Sequence, residues 1–177
     1  SGECNNQYLE HLGAIFYYGQ DKVSLVKSDS ISMNQKKSLK RHGYKAQGNA
    51  STEPLTAYFE GDADDKEVPG TVSRFTGHSS FKVNIIPENR GVRLRRLSDQ
   101  QQPRQCARVW VDGQEAGVWY LADSNPHKRW IEDEFEIPAE LTRGKSVLSI
   151  RIVPEAREEG SPVSWNEAAY DVFCYTE

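Results

Sequence analysis

The sequence predicts an all-β chain folded as an antiparallel β-sandwich, and three observations predict it. Apolar residues recur with a period of two, turn residues cut the alternating runs into short pieces, and helical periodicity is scarce. Phe81, Val83 and Ile85 alternate with Ser80, Lys82 and Asn84. Ala107, Val109 and Val111 alternate with Cys106, Arg108 and Trp110, and Leu148, Ile150 and Ile152 with Val147, Ser149 and Arg151. Each such strand has one face to bury, so about ten of them with few helices call for two packed sheets, as in a jelly roll or another sandwich. Periodicity does not choose between those topologies.

Taken in order, further strands are expected at Ala14–Tyr18, Val23–Lys27, Leu55–Glu60, Val92–Leu97, Glu115–Leu121, Arg129–Ile137 and Ala168–Tyr175. Asp112-Gly113 lies between two alternating runs, and both central residues of a type I′ turn need positive φ, which predicts a hairpin of Ala107–Val111 with Gln114–Tyr120. Pro87-Glu88-Asn89-Arg90-Gly91 supplies a second tight reversal. Pro138–Arg143 suits one helical turn closed by Gly144. Ser28–His42 is polar and poorly periodic and reads as a loop with room for a helical turn; Gly61–Gly70 reads as an acidic loop. No repeat, low-complexity tract or internal boundary interrupts the chain, so a single domain over residues 1–177 is expected.

Composition narrows the function classes. At 37% hydrophobic and 27% charged the chain is globular in type, and no apolar run approaches a membrane span. A net charge of −4 argues against a nucleic-acid partner. The cluster Lys36, Lys37, Lys40 and Arg41 is either a solvated loop or an anion contact. Cys4, Cys106 and Cys174 form no C-x-x-C pair, so no structural zinc is expected; they allow packed thiols or one disulfide and a spare thiol. Asn49-Ala50-Ser51 fits the glycosylation acceptor pattern. No leader is visible after the opening Ser-Gly, which leaves the compartment open.

Several segments together resemble one family. They are the stretch from His11 to Gly19, Tyr58-Phe59-Glu60-Gly61-Asp62, the run Pro87 to Arg96, Ala107 to Gly113 with Gly117-Val118-Trp119-Tyr120, Arg129-Trp130, Phe135-Glu136-Ile137-Pro138, Leu141 to Ser146, and Trp165-Asn166-Glu167. Their order is similar to the jelly-roll domain of domain-of-unknown-function family 2961, related to glycoside hydrolase family 172, whose members act on fructofuranosides and arabinofuranosides. The resemblance implies a jelly roll, a carbohydrate or glycan partner, self-association into a homo-oligomer, no cofactor, and a secreted or cell-surface location. The hydrolases' catalytic half carries a Gly-Thr-Gly-x-Glu-Asp-Tyr-Phe-like segment, and none occurs in this chain. Their paired catalytic carboxylates therefore do not carry over, and the expectation is a module that is not catalytic alone.

Candidate binding residues gather between Trp119 and Ile137. Trp119, Tyr120, Asn125, His127, Arg129 and Trp130 combine aromatic faces with amide and charged groups, as a sugar site requires: rings stack on C–H faces while polar groups read hydroxyls. The same tryptophans can equally fill the core or an interface. A hydrolase would need two convergent carboxylates, for which Glu60, Glu134, Glu136 and Glu167 stand beside aromatics, with a site completed across subunits. Arg96 falls in phase with Val92 and Leu94, hence inward, and needs a partner from Asp99, Glu132, Asp133 or Glu134. The loop from Asp62 to Glu67 has oxygens for calcium but lacks the EF-hand glycine and final glutamate, and the four histidines show no ligand spacing, so no metal is assigned.

Overall fold

The computed structural model describes residues 24–61, 63–122 and 124–176. The strand expected at Ala14–Tyr18, Cys4 and His11 lie outside the described residues, as do Asp62 and Asp123. Twelve strands are described: β1 Ser24–Ser32, β2 Lys45–Gln47, β3 Ser51–Ala57, β4 Val68–Phe75, β5 His78–Asn84, β6 Val92–Asp99, β7 Gln105–Val111, β8 Gln114–Leu121, β9 Trp130–Ile137, β10 Val147–Pro154, β11 Trp165–Glu167 and β12 Ala169–Thr176. Two short helices join them, α1 Lys36–His42 and α2 Ala139–Thr142.

The first sheet runs β1-β12-β6-β9, the second β2-β5-β10-β7-β8, and a third, small sheet runs β11-β4-β3. Within the first two the pairs nest: β1 with β12, β5 with β10, β6 with β9 and β7 with β8, all antiparallel. Nested pairing of outermost with outermost and innermost with innermost strands is the connectivity of a jelly roll. The topology that periodicity left open is thereby decided. Between these two sheets lies the main core, including Leu94, Val109, Val111, Leu148, Ile150, Tyr170 and Val172, each at 0–1% exposure.

Local signals act as expected at the corners. Asp112 and Gly113 adopt φ of 50° and 83°, closing the β7–β8 hairpin. Asn89 fixes the Pro87–Gly91 reversal by donating to the Ile86 carbonyl at 2.6 Å and accepting from the Gly91 N–H at 3.0 Å. The turn at Pro138 forms as α2, with Pro138 at its N-cap and Gly144 beyond its end at φ 77°. Within Ser28–His42 the helical turn for which there was room forms as α1, but the first part departs from the expected loop and continues β1 to Ser32. Pairing with β12 supplies the ladder that the polar pattern gave no hint of, and Ile31 and Met33 go into the core. Cys106 and Cys174 are buried free thiols.

Arg96 is fully buried, as its phase required. Asp133 grips it bidentately, Nε to Oδ1 at 2.9 Å and Nη2 to Oδ2 at 2.8 Å, while Nη1 donates to Gln105 Oε1 and the Asn166 carbonyl, each at 3.1 Å. Its guanidinium carbon lies 3.6 Å from the ring centre of Trp165. Glu167 is buried beside this group, and Tyr170 Oη, Ser79 Oγ at 3.3 Å and Trp165 Nε1 at 3.2 Å all donate to its Oε2. Burial pushes the Glu167 pKa up, against the opposite pull of its hydrogen-bond donors and of Arg96. Asp133 already neutralises Arg96, so an ionised Glu167 would be surplus charge in a dry core.

Two predictions follow from this network. Asp133→Ala strands a buried guanidinium, and an expected loss of about 3–5 kcal/mol should appear in urea unfolding. For Glu167, a carboxyl protonated in the fold but ionised when unfolded contributes stability that is complete below its ordinary value of 4.5 and is lost as pH rises toward the elevated folded value. Glu167→Gln, uncharged throughout, is expected to flatten that decline; identical slopes for variant and wild type across pH 5 to 8 would contradict a neutral Glu167.

Candidate functional site

The six residues singled out from sequence divide into three groups. Trp119 and Trp130 are 3% and 1% exposed, so neither offers a ring face to a solute. Trp119 pairs with the inward Ala107, stacks on Phe135 at 5.5 Å and donates to Asp133 Oδ2 at 2.8 Å. Trp130 shares its phase with the outward Glu132, Glu134 and Glu136, yet the β3–β4 hairpin covers it. Its Nε1 donates to the Val68 carbonyl at 2.8 Å, and a Cβ on Gly70 would stand 2.7 Å from its ring.

Asn125, His127 and Arg129 form the second group, at one end of the sandwich. Asn125 Oδ1 accepts from the N–H groups of His127 and Lys128 at 3.0 and 2.9 Å, and its Nδ2 donates to Glu60 Oε2 at 2.7 Å. His127 lies against Tyr58 with ring centres 5.2 Å apart. Arg129 clasps Asp99 at 3.0 and 2.6 Å, and Arg74 binds the same carboxylate. Burial opposes the charge on Asp99, but Arg129, the Gln101 N–H and Arg74 hold its pKa below the usual range. A depression of about 450 Å³ opens at this end, bordered by Glu60, Gln100 and Asn125. Its polar groups largely engage one another, which makes the cluster a loop lock. Tyr120 stands apart as the third group, 38% exposed under the Arg157 guanidinium at 4.6 Å.

The carboxylates proposed for hydrolysis do not converge. Glu134 and Glu136 lie on the outer face of the first sheet in ion pairs with Arg93 and Arg95, Glu167 is sealed in the core, and Glu60 sits at the loop end. Among the described residues no group of three or more His, Cys, Asp or Glu could hold a metal.

A different surface has the geometry of a binding site. Of the four tryptophans, Trp119, Trp130 and Trp165 are buried, and only Trp110 reaches the surface. In β7 the inward positions Ala107, Val109 and Val111 are sealed, so Trp110 and Arg108 must point outward from the second sheet. Trp110 sits on an interior strand, between Arg151 of β10 and Glu115 of β8, and a bulge in β8 falls directly opposite it. Across the face one register row reads Lys45, Ser80, Arg151, Trp110, Glu115.

A depression of about 410 Å³ lies over this row, lined by Ser80, Trp110, Gly113, Ser149, Ile150 and Arg151. A second, of about 360 Å³, shares Ser80, Ser149 and Ile150 and extends to Lys82 and to Lys40 and Arg41 of α1. Together they make one groove across the sheet. Outside the lining, Asp112 ties the β7–β8 turn to β10, donating its N–H to the Ser149 carbonyl and accepting from the Ser149 N–H, both at 2.8 Å. Although partial burial acts against it, Lys145 and that N–H keep the Asp112 carboxyl ionised below its usual range. The groove presents an aromatic face, two hydroxyls and cations on hydrogen-bonded strands. Such a surface can bind a flat, hydroxyl-rich chain. Its one signal in the sequence was a tryptophan out of phase with the core positions of its strand.

Fold and face together define a jelly-roll β-sandwich with a groove across one sheet. No protein-family model and no curated protein sequence matches the chain. Solved structures do share the fold. A family 35 carbohydrate binding module from Clostridium thermocellum superposes with a TM-score of 0.51 at 11% identity, covering 81% of this chain and 97% of that one. The ANX1 ectodomain from Arabidopsis thaliana gives 0.57 at 8% identity over 88% of this chain, which spans 50% of the ectodomain's length. No described helix is long and apolar enough to cross a membrane.

Proposed function

We propose that the chain is a non-catalytic carbohydrate-binding module whose glycan lies along the outer face of the second sheet, with Trp110 as the stacking platform. The observation that carries this reading is the position of Trp110: a lone surface tryptophan at the floor of an open groove, beside the Ser80 and Ser149 hydroxyls. Strands fix these groups in advance, so little ordering cost is added on binding. Likeness in fold to a carbohydrate binding module over nearly its full length supports the same reading. The scattered carboxylates give no support to hydrolysis by this chain. We also propose kinship with the accessory jelly rolls of furanoside hydrolases, self-association and an extracellular setting; the order of sequence motifs supports the first, and likeness to a plant ectodomain the last.

Affinity electrophoresis against a panel of polysaccharides tests the reading. At least one glycan should retard the wild type, and Trp110→Ala should weaken that binding about 30-fold, the loss of an anchor worth about 2 kcal/mol. Its thermal melt should stay close to wild type, since the ring is outside the core. Asn125→Ala should bind normally. Loss of binding in Asn125→Ala with retention in Trp110→Ala would move the site to the loop end, and silence across the whole panel would overturn the function.

A further inference from the structure

We infer that the glycan bound in this groove is acidic, a chain bearing carboxylate or sulfate groups; this rests on the binding function proposed above and names its ligand class. The inference comes from how charge is arranged on the two outer faces of the sandwich. On the first sheet, charges are matched across strands: Arg93 with Glu134 and Glu136, Arg95 with Glu134, Lys27 with Asp171. Each of those cations is held in an ion pair.

The second sheet is different. Lys45 and Arg151 occupy the register row of Trp110, Lys82 pairs across from Ser149 one row on, and Lys40 borders the far end of the groove. All four are exposed, and none of their side chains makes an ion pair or hydrogen bond among the described residues. Carboxylates near this face are already committed: Glu115 and Glu155 to Arg108, Asp112 to Lys145, Asp29 to Arg41 and His42. No Asp or Glu lines either depression. The floor is therefore a field of uncompensated positive charge in a chain whose net charge is −4.

That field reaches along the face. His78, in phase with Ser80 on β5, has its pKa lowered first by partial burial and then by the charge of Arg151. Neighbouring strands stand about 4.8 Å apart, so Lys45 and Arg151 are about 10 Å from each other with the Ser80 hydroxyl between them. A polymer lying across the strands would meet a ring face, hydroxyl groups and a cation in turn. Anionic groups on such a chain gain charge-assisted hydrogen bonds here, whereas a neutral sugar leaves the cations to water. A protein polyanion would use the cations but leave the Trp110 face idle, and the net charge of −4 argues against a nucleic-acid partner.

Matched pairs of polymers test the inference, using the whole chain: alginate against its carboxyl-reduced form, and carrageenan against agarose, with poly-glutamate as a polyanion without sugar. Wild type should bind at least one acidic member about tenfold or more tighter than its neutral partner, with the preference shrinking as salt rises. Which acidic member is favoured names carboxylate or sulfate as the recognised group. Lys82→Gln combined with Arg151→Gln should erase the preference, and Trp110→Ala should weaken acidic and neutral chains alike. Equal binding of both members in each pair, still lost in Trp110→Ala, overturns the acidic ligand while leaving carbohydrate binding intact. Poly-glutamate binding as tight as the acidic glycans, unchanged in Trp110→Ala, overturns both.

Discussion

The bidentate grip of Asp133 on the buried Arg96 holds the rest of the structure in register, because it is made where strands from different sheets meet. Arg96 lies on β6 and Asp133 on β9, both in the first sheet, while Gln105 on β7 and Asn166 on β11 receive the remaining donors of the same guanidinium. One side chain thus touches all three sheets. A buried arginine is costly unless every donor finds an acceptor, so displacement of any of these strands would leave charge or polar groups unpaired. Trp165 and Trp119 close over the group and exclude water, at 3.6 and 5.3 Å from the guanidinium carbon. The neighbouring Glu167, its pKa pushed up by burial, completes the polar centre with Tyr170, Ser79 and Trp165 as its donors.

Committing the interior to that network has a consequence for the surface. Trp119, Trp130 and Trp165 are consumed as walls and lids, and aromatic surface of that size survives outside only where β7 turns Trp110 away from the core. The two outer faces then diverge by pairing. Alternate Arg and Glu across β6 and β9 satisfy one another and make the first face inert, while β2, β5 and β10 contribute lysine and arginine opposite serines on the second. A polar partner at each cross-strand position stabilises a sheet; its omission leaves a surface with unspent attraction for a ligand.

Much of this could be read in the sequence where the reason was local or periodic. Asp112-Gly113 closed its hairpin because only residues tolerant of positive φ fit there. Arg96 announced a buried charge by breaking the polar phase of its strand, and one of its four proposed partners holds it. Other features escaped because distant chain decided them. Trp130 has the phase of an exposed residue and is covered by a hairpin more than fifty residues earlier in the chain. Strands β3 and β4 alternate weakly, since they bury a small patch against Trp130 and Leu97 rather than a full core face. The candidate site suffered for the same reason: aromatic residues were sought where they cluster in sequence, and the fold uses those for packing.

By itself the sequence determined the period-two strands, the corners between them and which arginine had to be buried, since side-chain alternation and turn stereochemistry act over a few residues. Tertiary structure alone decided the jelly-roll pairing, the fate of each tryptophan and the union of Trp110, Ser80, Ser149 and Arg151 on one face. Those outcomes depend on which strands become neighbours across 30 to 70 residues of chain, and alternation within a strand carries no information about the identity of its neighbour.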